Sequence, residues 1–82
     1  MCEFCFYMTI QQIVADNIRH IREKRNISQE SLALDAQMSR AYVGEIERAE
    51  KTISIERLTK LAKVLGVEPE VLLIYEYYKR ME

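Results

Sequence analysis

The chain predicts an all-α fold, a five-helix domain, on three observations. Apolar residues recur at spacings of three and four, as in Ile10, Ile13, Val14, Ile18 and Ile21. Hydroxyl residues stand just ahead of successive apolar runs, at Thr9, Ser28, Ser39 and Ser54, where their oxygens can take the orphan backbone N–H groups of a first turn. The 82 residues hold only 2 Gly and 1 Pro against an apolar fraction of 49%, which suits packed helices and not a disordered chain. That length allows one domain, small enough to gain from association.

Residues 1–8, MCEFCFYM, read as an N-terminal arm ahead of a domain over residues 9–82. Cys2 and Cys5 form a C-x-x-C, but there is no second cysteine pair and His20 is the only histidine. A zinc site is therefore incomplete, and the strand-then-helix setting of a redox pair is missing. The two thiols read as reduced and non-catalytic. Phe4, Phe6 and Tyr7 are too apolar for a free tail, so the arm is expected to pack on the body or on a partner subunit; Met8 is an alternative start. Helix 1 is predicted over Ile10 to Arg25, with Thr9 as its cap and the isoleucine–valine stripe facing inward. Its basic last turn complements the helix dipole, and Asn26 suits a left-handed cap. Arg19, Lys24 and Arg25 read as a solvated face, one or two of which could touch phosphate.

Ser28 to Arg48 organises the rest. Leu32, Ala33 and Ala36 share a face, Asp35-Ala36-Gln37-Met38 breaks the run, and Ser39 restarts it with Val43 and Ile46 pointing inward. Two short capped helices joined by so tight a turn must cross at a large angle. That is a helix-turn-helix unit, whose second helix enters the DNA major groove. Arg40, Ala41, Gly44, Glu45 and Arg48 share the opposite face. Glycine inside a helix costs about 1 kcal/mol relative to alanine, so Gly44 calls for a reason, and close approach to bases is one. Arg40, Ala41, Gly44 and Glu45 are the candidate base contacts: Arg can grip guanine O6 and N7, and Glu can accept from cytosine N4. Gln29, Tyr42, Arg48, Lys51 and Thr52 are candidates for positioning on phosphates.

Ser54 caps helix 4, whose apolar face is Ile55, Leu58, Leu61, Ala62 and Leu65, and Gly66 ends it. Pro69 suits the first turn of a helix 5 running to about Lys79. Val71, Leu72, Ile74 and Tyr75, flanked by Leu73, Tyr77 and Tyr78, carry more apolar and aromatic area than one small domain can cover. Tyrosine suits an interface, apolar on its ring and wet at its hydroxyl. Leu72, Tyr75 and Tyr78 are thus the expected contacts of a homodimer.

From Ile18 to Leu73 the runs IRHIREKRNISQESLALDAQMSRAYVGEIER and ISIERLTKLAKVLGVEPEVLL resemble the Cro/repressor helix-turn-helix family, also called the xenobiotic-response-element (XRE) family. SRAYVGEIER followed by ISIE is similar to the controller proteins of restriction-modification systems. The resemblance implies a sequence-specific transcriptional regulator that binds a double-stranded DNA operator as a homodimer. An antitoxin or phage-type repressor of the same fold, or an interaction module that has lost DNA binding, is the alternative. Family members commonly have Gly where this chain has Gln37 and Ala49, which puts the local path there in question. The resemblance also implies a buried arginine–glutamate pair tying helix 1 to the recognition helix. Arg22 and Glu47 match those positions, and each directly follows an inward isoleucine, Ile21 or Ile46.

Other chemistry finds no footing. The net charge is −1, from 12 basic and 13 acidic residues, so any nucleic-acid footprint must be local. The one basic cluster is Arg19, Arg22, Lys24 and Arg25, opposed by Glu23. With one histidine, no glycine-rich phosphate loop and no metal-ligand spacing, no catalytic constellation assembles, and no enzyme, cofactor or metal is expected. No residues remain for an effector domain, so no small-molecule effector is expected. No apolar run is long enough to span a membrane and no basic segment precedes an apolar one, so a cytoplasmic protein is expected.

Overall fold

Four hydroxyl caps set the frame. In a computed structural model of the protein, which describes residues 8–81, Thr9, Ser28, Ser39 and Ser54 each accept a backbone N–H from the residue three positions on. They start α1 (Ile10–Lys24), α2 (Gln29–Asp35), α3 (Arg40–Glu47) and α4 (Ile55–Leu65). At α1 the cap is reciprocal: the Thr9 N–H donates to Gln12 Oε1 at 2.8 Å while the Gln12 N–H donates to Thr9 Oγ1 at 3.1 Å. The arm, with Cys2, Cys5, Phe4, Phe6 and Tyr7, lies outside the described residues apart from Met8.

The four helices also end alike. Just past each stands a residue with positive φ: Asn26, Gln37, Ala49 and Gly66, at 57°, 61°, 59° and 78°. Its N–H reaches the carbonyl three residues back, and the next N–H reaches the carbonyl five back, as in Gln37 to Leu34 and Met38 to Ala33. This closure satisfies carbonyls the helix would otherwise orphan. Gly66 and, to a lesser degree, Asn26 are residue types the conformation favours. Gln37 and Ala49 adopt the same conformation with a Cβ in place, at about 1 kcal/mol each.

One core joins all four helices: Val14, Ile18 and Ile21 from α1, Leu32, Ala33 and Ala36 from α2 and its end, Val43 and Ile46 from α3, and Leu58, Leu61, Ala62 and Leu65 from α4. The expected inward stripe of α1 needs one correction. Ile10 is 55% exposed, because it occupies the first turn, beyond the reach of the core.

The expected fifth helix does not form. In its place Pro69–Leu73 and Tyr77–Arg80 are short 3-10 turns, with Ile74 extended (φ −92°, ψ 125°) and Glu76 left-handed (φ 51°). The described residues are all-helical, with four α-helices and no strand. The cause is a side chain from α1. Asn17 is fully buried, and its Nδ2 donates to the carbonyls of Leu72 (3.0 Å) and Ile74 (2.7 Å) while its Oδ1 accepts from the Tyr78 N–H (3.2 Å). A continuous helix would pair those carbonyls with residues 76 and 78. The Asn17 amide takes over that bonding, and the β-branched and aromatic run Val71, Ile74, Tyr75, Tyr77 and Tyr78 has little helix propensity to resist it.

Candidate nucleic-acid interface

Helix α3 has an inner side that is locked and an outer side that is open. Inside, Val43 and Ile46 are 0% and 2% exposed. Beside them Glu47, only 3% exposed, meets Arg22 of α1 through two parallel bonds: Nε to Oε2 at 2.7 Å and Nη2 to Oε1 at 3.1 Å. Gln29 Nε2 donates to the same Oε1 at 2.9 Å, and Arg22 Nη1 caps the Ile27 carbonyl at 2.9 Å. Arg19, held by Asp16 at 2.8 Å, donates to the Glu47 carbonyl at 3.2 Å. Among the described residues no buried side-chain polar atom lacks a partner. A buried charge pair satisfied this fully fixes the angle of α3 on α1. The pair implied by the family resemblance therefore meets in space. It also recruits Gln29, expected on phosphate, whose amide is directed to Glu47.

Outside, Arg40 and Ala41 are exposed and Glu45 is half-buried. Gly44, expected at a base edge, is instead buried, because Arg48 folds back over it: a Cβ there would lie 3.2 Å from Arg48 Nη1. Glycine thus makes room for a guanidinium. Arg48 is held in turn by Glu50, Nε to Oε2 at 3.0 Å and Nη2 to Oε1 at 3.2 Å, both side chains exposed. Those hydrogen bonds draw the Glu50 carboxyl below its ordinary 4.5 and push the Arg48 guanidinium higher still. Lys51 is exposed, and the exposed Thr52 hydroxyl accepts from the Gln11 amide.

Tyr42 has a partner that sequence reasoning missed. The Arg57 guanidinium lies 4.9 Å from the centre of its ring, and Nη1 donates to the Tyr42 hydroxyl at 3.3 Å. One signal could have found Arg57. It sits three residues after the Ser54 cap, and a cation in a first turn opposes the helix dipole. Arg40, one residue after the Ser39 cap, breaks the same rule.

The expected dimer contacts sit differently from expectation. Leu72 is 0% exposed, a core residue of the single chain, so it cannot serve as an interface contact in this form. Tyr78 is half-buried, its ring stacked on His20 at 3.9 Å with the planes 9° apart, while His20 Nδ1 donates to the Asp16 carbonyl at 2.8 Å. Tyr75 is half-buried too. Exposed apolar area lies elsewhere, at Ile10, Ile55 and Leu73, around a groove of about 160 Å³ that Val14, Ile53 and Leu58 help to line. Among the described residues no helix is long and apolar enough to cross a membrane, and no three potential metal ligands come together.

Comparison with known proteins agrees with this geometry. The family model described as "Helix-turn-helix" (HTH_3) matches residues 18–72. The chain is 38% identical over 65 residues to control protein C.BamHI of Bacillus amyloliquefaciens, covering 78% of this chain and 80% of that one. It is 39% identical over 71 residues to control protein C.SmaI of Serratia marcescens, covering 87% and 83%. The crystal structure of the restriction-modification controller protein C.AhdI from Aeromonas hydrophila superposes with a TM-score of 0.73 at 34% identity, covering 76% of this chain and 94% of that one. With its capped helix pair, its outward α3 face and a family match across most of its length, the chain belongs to the XRE-type helix-turn-helix family of DNA-binding regulators.

Proposed function

We propose that the protein is a homodimeric, cytoplasmic transcriptional regulator of the restriction-modification control type, reading a double-stranded operator through α3. The observation that carries this is the two-sidedness of α3: pinned to α1 by Arg22 and Glu47, it turns Arg40, Ala41 and Glu45 outward. These three read base edges, with Arg48 on the same face above Gly44. Tyr42, Lys51 and Thr52 position the helix on phosphates, while Gln29 keeps its amide on Glu47. Its likeness to two control proteins over most of their length supports the restriction-modification assignment. The exposed Ile10, Ile55 and Leu73 support a second copy as the cover for that apolar area, and two modules read two half-sites about one helical turn apart.

The test is a fluorescence-anisotropy titration with the DNA upstream of the protein's own gene against a scrambled duplex. Specific binding should exceed non-specific binding by about 10³ or more. Equal affinities would end the reading as a sequence-specific regulator, and no binding to either would favour an interaction module of the same fold. Sedimentation of wild type and Ile55→Asp tests the dimer: wild type should run as a dimer and the variant as a monomer. A monomeric wild type at micromolar concentration, with and without DNA, would refute it.

A further inference from the structure

Beside the N-terminal end of α3, the residues Gln37, Met38, Ser39, Tyr42 and Arg57 line an open notch of about 280 Å³. The arginines Arg19, Arg22 and Arg48 are each neutralised by a carboxylate. Arg57 is not: among the described residues it makes no ion pair, and it spends one N–H on the Tyr42 hydroxyl and its face on the Tyr42 ring. Four guanidinium N–H groups remain. Because the Tyr42 oxygen accepts from Arg57, its own proton is free to be donated outward. Cation and hydroxyl therefore both offer donors to whatever sits in the notch, and what they suit is an anion with several acceptor oxygens. The notch adjoins Arg40 and Ala41, at the end of the recognition helix that reaches base edges in this class of motif.

We infer that Arg57 and Tyr42 form one phosphate grip on the DNA backbone, in which Arg57 supplies the charge and holds the Tyr42 hydroxyl toward the same phosphate. The inference rests on the proposed reading of α3 as a DNA-recognition helix, and it adds Arg57 as a positioning and phosphate-contacting residue. It also accounts for a cation placed in the first turn of α4, where the helix itself favours an anion.

A phosphate contact carries no sequence information, so the probe is a fluorescein-labelled duplex of arbitrary sequence titrated at a series of salt concentrations. Arg57→Gln should lower the slope of log affinity against log salt by about one unit, because one counterion fewer is released. Arg57→Lys keeps the charge and should keep the slope, but it cannot stack and donate in the same geometry. Tyr42→Phe should therefore weaken binding in the wild-type background and have little effect in the Arg57→Lys background. An unchanged slope in Arg57→Gln would overturn the phosphate contact, and equal losses from Tyr42→Phe in both backgrounds would overturn the coupling. If Arg57 merely stabilises the fold, thermal melting shifts and the slope does not. Wild type that shows no salt-dependent binding to any duplex would refute the DNA reading itself, an outcome distinct from failure of the grip.

Discussion

Glu47 and Arg48 are neighbours in the chain, and each is held by a two-bond arginine–carboxylate fork of nearly the same geometry, 2.7 and 3.1 Å in one and 3.0 and 3.2 Å in the other. Their surroundings differ completely. The Glu47 side chain is 3% exposed and that of its partner Arg22 12%, whereas Arg48 and Glu50 are 59% and 54% exposed. The buried fork spans 25 residues and joins two helices; the exposed one spans two and joins nothing. Removing half of the first strands a charge in the interior, and removing half of the second hands a charge back to water. The same bond chemistry is thus architecture on one side of α3 and an exchangeable cover on the other.

The largest effect should come from breaking the buried fork. Glu47→Ala or Arg22→Ala should each cost about 3–5 kcal/mol in urea unfolding, and the double variant less than the sum. Additive losses below about 1 kcal/mol would make this fork equivalent to a surface pair. Next comes the open face: Arg40→Ala should cost roughly 1–3 kcal/mol on the best operator and relax preference at one base pair, with stability untouched. Equal losses on specific and random DNA would reduce Arg40 to a phosphate contact. Smaller still, Gly44→Ala gains up to about 1 kcal/mol of helix propensity, from which the displacement of Arg48 subtracts. It should weaken operator binding all the same, because the bound position of Arg48 changes. Unchanged affinity would mean that Arg48 does not use the space above Gly44.

Glu50→Gln sharpens the contrast most finely. It should leave the urea midpoint where it was, yet raise affinity for duplex DNA at low salt by freeing Arg48. The pH dependence follows the same sign. The Glu50 carboxyl titrates below its ordinary 4.5 in the folded chain, so what its fork contributes is in place above that value and disappears as pH falls through the lowered one. Salt screens it throughout. A midpoint shift as large as that of Glu47→Ala would erase the distinction between the two forks.

What was legible in the sequence follows the range of the interactions. Thr9, Ser28, Ser39 and Ser54 announce four helices because a cap is a bond over three residues. Asn26 and Gly66 mark helix ends for the same reason. The Arg22–Glu47 pair came within reach only through the family resemblance, helped by the position of both residues at the edge of an apolar face. The misread elements depend on partners far along the chain. Helix 5 is undone by Asn17, 55 to 61 residues away, and nothing in Pro69 to Lys79 marks that side chain's arrival. The sequence presents Gly44 as space for DNA because the folding back of Arg48 over it is a tertiary event. Arg57 carries no local mark of its partner, because Tyr42 lies 15 residues away on another helix.

The Asn17 amide also sets an order of assembly. Every cap and turn of α1 to α4 closes locally, while the residues after Pro69 are fastened across most of the chain's length, by the Asn17 amide, by the His20–Tyr78 stack and by Leu72 in the core. Bringing such distant segments together carries a loop entropy that only an already packed body can offset. The C-terminal strap should therefore dock last and detach first. In native-state hydrogen exchange the Tyr78 amide, bonded to Asn17 Oδ1 at 3.2 Å, should trade its proton well before the helix interiors, and Asn17→Leu should speed that release while leaving α1 to α4 protected.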